Sequence, residues 1–369
     1  MCGEHLAAGA LPLLDAIGVG AQVRSAGVSI KRVALLASPQ HRLTIPAGAN
    51  EAELPKAFSR YRFDHLLVEH AQRLGVDLYS GRRVRSVLSK DGIVCGVETK
   101  NPARTDSAEV FRAPVVVAAD GRQSIVVRET GFAARRGPAL VGFKRHFPFP
   151  SADADIHADE LAMFGLPGGY LGVAPVEDGS LNLCGLLPSQ AFVGKSGPLD
   201  AVIENRLSIY PSLRRLIAHH ANTEPWTTIA DVRTQSSRPR MRGVLYIGDA
   251  FGTIEPMTGQ GMTMALAGAH LAYQELNRPD AGEGVEAATQ RRFEAAWNAM
   301  FRGSIRRASA LAMLLRRPRV MQGLMLADRL PMTPITELFG RLYRSLPVGR
   351  TRYEELASHS LRSCSSAQR

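Results

Sequence analysis

The stretch Gly243-Val244-Leu245-Tyr246-Ile247-Gly248-Asp249-Ala250 decides the fold. It is an apolar strand running into Gly-Asp. Pro256, Gly259-Gln260-Gly261-Met262 and an apolar helix to Ala272 come next. A strand of this kind sets a carboxylate at the C-terminal edge of a sheet, where open α/β folds bind ligands. Asp249 is then an acceptor-only group suited to sugar hydroxyls. Gly259 and Gly261 allow the backbone to approach a ligand closely. The helix start adds N–H groups and the positive end of a dipole.

A second stretch, Val115 to Ala119 and then Asp120-Gly121-Arg122-Gln123-Ser124, repeats the strand-to-turn pattern. Asp-Gly alone is a common turn pair. Farther upstream, Arg60 stands just before a helical period at Phe63, Leu66, Leu67, His70, Ala71 and Leu74, which Gly75 ends.

Together these stretches resemble the para-hydroxybenzoate hydroxylase-like FAD-dependent oxidoreductases, most closely the geranylgeranyl reductase-like branch. The string GDAFGTIEPMTGQGMTMAL is similar to that family's Gly-Asp-Ala-Ala … Pro-x-x-Gly-x-Gly signature, with Phe251 replacing the commoner alanine. The resemblance implies FAD as cofactor and NADPH or NADH as electron donor. It places Gly248, Asp249, Pro256, Gly259, Gln260, Gly261 and Met262 at the flavin, with the helix dipole toward the isoalloxazine pyrimidine. It places Asp120 and Gly121 along the pyrophosphate channel. Arg60 would reach the pyrophosphate or ribose, a role that suits a permanently charged, bidentate guanidinium. Val84 would read adenine through its backbone, although plain core packing accounts for it equally. Cys2-Gly3-Glu4 resembles a Cys-Gly-Glu that lies near the flavin in the reductase branch, which assigns Cys2 and Gly3 to the cofactor.

The family also opens with a strand–Gly-x-Gly-x-x-Gly–helix unit that is not in this sequence. Gly18-Val19-Gly20 follows a helical pattern and lacks the third glycine, so it reads as a turn. The gap corresponds to roughly 35–45 residues, about one strand–loop–helix–strand unit. Two readings stay open: a flavoenzyme whose start is misplaced, or a non-catalytic remnant unable to hold FAD.

The 369 residues are 45% hydrophobic and 21% charged, ordinary for a globular protein. Cys2, Cys95, Cys184 and Cys364 lie far apart, which excludes a disulfide framework or zinc site and fits a reducing cytoplasm. No secretory signal is expected at Met1–His5. The net charge of +11 carries no nucleic-acid recognition pattern. Much of it lies among Arg302, Arg306, Arg307, Arg316, Arg317, Arg319, Arg329, Arg341 and Arg344, interleaved with apolar residues. This reads as basic amphipathic helices covering the body, or touching an anionic membrane from its inner face. No metal or catalytic triad emerges, and the only tryptophans, Trp226 and Trp297, do not form the Trp-x-Trp-x-x-Pro of flavin halogenases.

The expected fold is α/β, or α+β overall. A Rossmann-like FAD-binding domain (1–138 and 241–300) lacks its first βαβ unit and carries an inserted mixed-sheet substrate domain (139–240). C-terminal helices (301–357) and a disordered tail (358–369) follow. Helices are expected over 5–24, 63–74 and 198–220, and strands over 28–46, 76–79, 84–88, 93–99, 110–113, 140–147, 161–165, 169–176 and 180–187. Phe143, Phe164, Tyr170 and Phe251 are candidates for the wall of a hydrophobic substrate pocket, with core packing as the plainer alternative. The expected reaction is reduction of C=C bonds, or hydroxylation with O₂ and NAD(P)H. No catalytic acid or base stands out.

Overall fold

A computed structural model describes residues 3–100, 108–149, 156–193, 199–220, 224–280 and 284–327. The chain begins with β1 (His5–Leu6), α1 (Leu11–Ala16), α2 (Gly20–Ala26), β2 (Val28–Ser29), β3 (Arg32–Ser38), β4 (His41–Pro46) and β5 (Lys56–Ala57). Next come α3 (Arg60–Arg73), β6 (Arg83–Lys90), β7 (Ile93–Lys100), β8 (Ala108–Arg112), β9 (Val116–Ala118), α4 (Ile125–Thr130) and β10 (Gly131–Pro148). The middle holds β11 (Glu160–Leu166), β12 (Gly169–Pro175), β13 (Ser180–Pro188), α5 (Leu199–Arg206), α6 (Pro211–His219) and β14 (Thr227–Pro239). The last part is β15 (Val244–Tyr246), α7 (Gly248–Phe251), α8 (Gly261–Leu276), α9 (Ala287–Leu315) and α10 (Pro318–Ala327).

A seven-stranded mixed sheet dominates, in the order β14-β10-β13-β12-β11-β3-β4. Only the β11–β3 pair is parallel. β13 alternates Leu181, Leu183 and Leu187 on one face with Asn182, Cys184 and Leu186 on the other, as a two-residue period requires. The first face buries Phe143, Phe147 and Phe164 against Leu213, Leu216 and Ile217 of α6. The opposite face carries Met163, Tyr170 and Leu186 and packs toward α8 and α9. β9 and β15 form a parallel pair, Val116↔Val244 to Ala118↔Tyr246. Among the described residues β9 has no second neighbour, and Val117 is exposed.

Several expectations need correction. The helix expected over 5–24 is broken. His5–Leu6 pairs with Lys56–Ala57, and Gly18 turns the chain at φ +87° between two short helices. That left-handed conformation costs glycine little and other residues more. Residues 76–79 form no strand; Tyr79 rests edge-on against Phe111. The helical stretch from 198 to 220 is two helices, with Pro211 in the first turn of α6. β3 and β4, expected in the nucleotide-binding part, extend the large sheet instead. β10 runs unbroken through 138/139, and α9 runs unbroken through 300/301. Residues 358–369, with Arg329, Arg341 and Arg344, lie outside the described residues.

Candidate functional site

A cleft lies between the large sheet and the loop from Gly248 to Met262. Its sheet wall is Leu161, Met163, Tyr170, Gly172, Cys184 and Leu186. Its other wall is Asp249, Ile254, Pro256, Met257, Gly259, Gly261 and Met262. Gly3, His5 and Arg122 close the remaining side. Residues far apart in sequence therefore meet around one volume.

Local chemistry explains the loop. β15 ends at Tyr246, and Gly248, two residues on, swings the chain at φ +55° into the short turn that carries Asp249. Burial pushes the Asp249 carboxyl up, against the pull of Arg122 and Arg60. Gly259 is left-handed at φ +62°, and a Cβ there would stand 2.4 Å from His5 Cδ2. A side chain there would force the His5 ring to shift and would strain the backbone. Gln260 is buried at the N-cap of α8, and its side chain makes no capping bond. The N–H groups of Gly261 and Met262 fall in the first helical turn, where no intrahelical acceptor exists. Full burial lowers His5 to about 4, so the ring is neutral near pH 7.

The other assigned residues sit as follows. Gly3 lines the cleft; Cys2 lies outside the described residues. Arg60 opens α3, pairs with Asp64 at 2.8 and 2.7 Å, and acts on Asp249 through its charge. Asp120 is exposed and caps α4, accepting from Ile125 N at 2.9 Å. Gly121 follows at φ +78°, and the next residue, Arg122, reaches the cleft. Val84 sits half-buried in the β6-β7-β8 sheet and does not line the cleft.

Of the aromatic candidates, Tyr170 faces the cleft. Phe143 and Phe164 do not: strand alternation turns them to the opposite face, where their rings meet Trp226 and Tyr210 edge-on at 5.5 and 5.0 Å. Phe251 also turns away and packs against Phe293 and Trp297 at 5.2 and 5.0 Å. An apolar ring at the end of a turn follows the apolar face of α9.

Three groups were missed by sequence reasoning. Arg122 lines the cleft and donates from Nη2 to the Arg233 carbonyl at 2.7 Å. Its place directly after Asp120-Gly121 was the available signal. Glu4 is buried in a left-handed conformation at φ +54°. It accepts hydrogen bonds from Lys144 Nζ, His146 Nε2 and Arg60 N. Burial alone would raise its carboxyl, but the bonds from His146 and Lys144 hold it below the ordinary value. Finally, Tyr170 donates to Glu255 Oε1 at 2.8 Å, and Arg316 Nη2 reaches both Glu255 oxygens at 2.9 and 2.8 Å. Burial and the Glu255 charge push the Tyr170 hydroxyl well above its usual range, so it stays protonated. Contacts spanning 61 and 85 residues leave no local pattern to read.

A family model described as an FAD binding domain matches residues 3–300. The chain belongs to the FAD binding domain family. Its relatives include digeranylgeranylglycerophospholipid reductase 1 of Methanococcoides burtonii, 27% identical over 262 residues, covering 69% of this chain and 60% of that protein. Digeranylgeranylglycerophospholipid reductase 1 of Methanopyrus kandleri is 26% identical over 74% of this chain and 72% of its own. The chain thus spans about three-fifths of the first relative's length. Among solved structures, the flavin-dependent brominase Bmp2 superposes with a TM-score of 0.74 at 17% identity, over 100% of this chain and 89% of that one. HpxO of Klebsiella pneumoniae, complexed with FAD and uric acid, superposes at 0.62 and 18%, over 98% and 90%. These two likenesses show the shared fold.

The residues present fit the flavin end of FAD. A Cβ at Gly3 or Gly261 would meet nothing within 4 Å, so the backbone at both positions is open to the cleft. Thr263 Oγ1, in the first turn of α8, is buried with no hydrogen-bond partner among the described residues.

Proposed function

We propose that this chain forms most of an FAD-dependent oxidoreductase that reduces C=C bonds in an apolar, lipid-like substrate, with NADPH or NADH as electron donor. The carrying observation is the make-up of the cleft. One wall is the Gly248–Met262 loop of an FAD binding domain, and the facing wall is apolar sheet with a single phenol, Tyr170. Relatives covering 69% and 74% of this chain are named as reductases of an isoprenoid phospholipid, which favours reduction over hydroxylation.

FAD, when bound, supplies the two-electron chemistry. The chain's own residues would set its surroundings. The N–H groups of Gly261 and Met262, in the first turn of α8, would offer partial positive charge to a flavin that gains negative charge on reduction. Asp249 would accept from sugar hydroxyls. His5, held neutral, brings no competing charge to the cleft. Tyr170, kept protonated by burial and then by the Glu255 charge, presents its phenol at an otherwise apolar wall. Arg317, Arg319, Val320 and Leu326 are exposed on and beside α10, and on this reading they rest on an anionic membrane surface.

The test is the visible spectrum of the purified chain after incubation with FAD and gel filtration. An oxidised-flavin band that bleaches with NADPH or NADH supports the reading. Bleaching followed by saturation of an isoprenoid double bond under nitrogen establishes the reductase. O₂ consumption with an aromatic substrate would replace it with hydroxylation, and a colourless protein would favour the non-catalytic remnant.

A further inference from the structure

A separate recess lies between α9 and the stretch Arg238-Pro239-Arg240-Met241-Arg242, where β14 ends at Pro239. Arg238, Pro239, Arg240, Met241 and Arg242 all line this recess, and Arg291 lines it from α9. The cations are not equally compensated. Arg238 pairs with Glu294 at 2.6 Å, and Arg242 pairs with Glu286 at 3.3 Å. Arg240 and Arg291 have no carboxylate partner among the described residues. The Arg240 guanidinium instead stacks over Phe132, 4.9 Å from the ring centroid.

The scaffold beneath these side chains is fixed. Arg240 N donates to the Thr130 carbonyl at 2.8 Å. Gln290 of α9 donates to the Met241 and Val244 carbonyls at 2.7 and 2.9 Å, binding the stretch to the helix. The floor is apolar and includes Phe251, two residues from Asp249. A recess lined by four arginines, two of them without a carboxylate partner among the described residues, and by one carboxylate, Glu294, over an apolar floor suits a dianion attached to an apolar or planar body.

We propose that this recess is a second ligand site, for a phosphate monoester. Two sources supply that chemistry: a pyridine nucleotide carrying a 2′-phosphate, and a lipid with a terminal phosphate. The site stands on the recess alone and does not require bound flavin.

The experiment is titration calorimetry on the full chain with four probes: adenosine 2′,5′-bisphosphate, 5′-AMP, dihexanoyl phosphatidic acid and inorganic phosphate. The expected result is salt-sensitive binding of one of the first three, tighter than inorganic phosphate. Affinity should fall roughly tenfold in Arg240→Ala and in Arg291→Ala, and Arg240→Lys should recover part of it. Preference for the bisphosphate over 5′-AMP identifies the nucleotide source, and preference for phosphatidic acid the lipid. Unchanged affinity in both alanine variants, or no probe exceeding inorganic phosphate, overturns the proposal. Both arginines are exposed, so thermal melts should match the parent. Retained FAD is read separately by absorbance, so failure here and failure of the flavin reading are distinguishable.

Discussion

The two faces of the seven-stranded sheet are built from the same strands and do different work. One face carries Phe143, Phe147 and Phe164 with leucines between them, sealed by α5 and α6. The other carries Met163, Tyr170, Gly172 and Cys184 and borders the cleft. A strand's side chains alternate, so each second residue serves stability and its neighbours serve the ligand. Aromatic content along a strand therefore does not locate a pocket; parity does. The three phenylalanine rings sit on the sealed face, and the cleft face carries one ring, Tyr170, among small or flexible residues.

The largest expected effect falls on the sealed face. Phe164→Ala should cost about 3–5 kcal/mol in chemical denaturation, as for other buried rings, while FAD retention at low temperature stays unchanged. Loss of FAD retention with stability intact would break the comparison outright.

The next effect belongs to the cleft side and depends on pH. His5 has a folded value of about 4, against 6.5 for the free side chain. Between those values the unfolded chain binds more protons, so stability falls as pH drops from 6.5 to 4 and levels off below. The shift corresponds to roughly 3 kcal/mol. Melting His5→Leu beside the parent should show a flatter slope through that window; parallel slopes would remove His5 from the account.

Gly259→Ala should cost about 2 kcal/mol through its left-handed backbone and the His5 contact, and should lower flavin affinity as well. Stability and ligand binding falling together would mark this loop as the one place where the two roles merge. Smallest is Tyr170→Phe. Removing its bond to Glu255 should cost about 1 kcal/mol, because Arg316 still holds the carboxylate. Its main effect should be altered binding of cleft ligands, measured by flavin fluorescence quenching. A large stability loss with unaltered binding would assign Tyr170 to the sealed face's role.

The parts of the molecule that sequence revealed are those where chemistry is written locally. The strand–Gly-Asp–loop–helix run of 244–276 is legible because each residue type answers a backbone demand on the spot: Gly248 and Gly259 turn left-handed, and Gly261 opens a helix. The mixed sheet and the 177–180 turn are legible for the same reason, with Gly179 at φ +81°. The orientation of Phe143, Phe164 and Phe251 was not, since all are apolar in apolar strands or turns and burial on either side satisfies the pattern. Nor was the join of β3 to β11, because a parallel pairing between residues 32 and 160 depends on strand neighbours that no short window contains. Glu4 and Glu255 escaped notice because a lone carboxylate acquires meaning only from cations distant in the chain.

The Glu4 cluster has a kinetic consequence. Its carboxylate is tied to Lys144 across 140 residues, a long loop to close. Such contacts form late, after the strands they bridge have assembled, because their closure entropy is met only by a finished partner surface. The segment Gly3–Leu6 should therefore open as a unit whose amide exchange follows the Glu4 contacts. A ligand seated against Gly3 and His5 would slow that opening, so protection of this segment would report occupancy of the cleft before any turnover is measured.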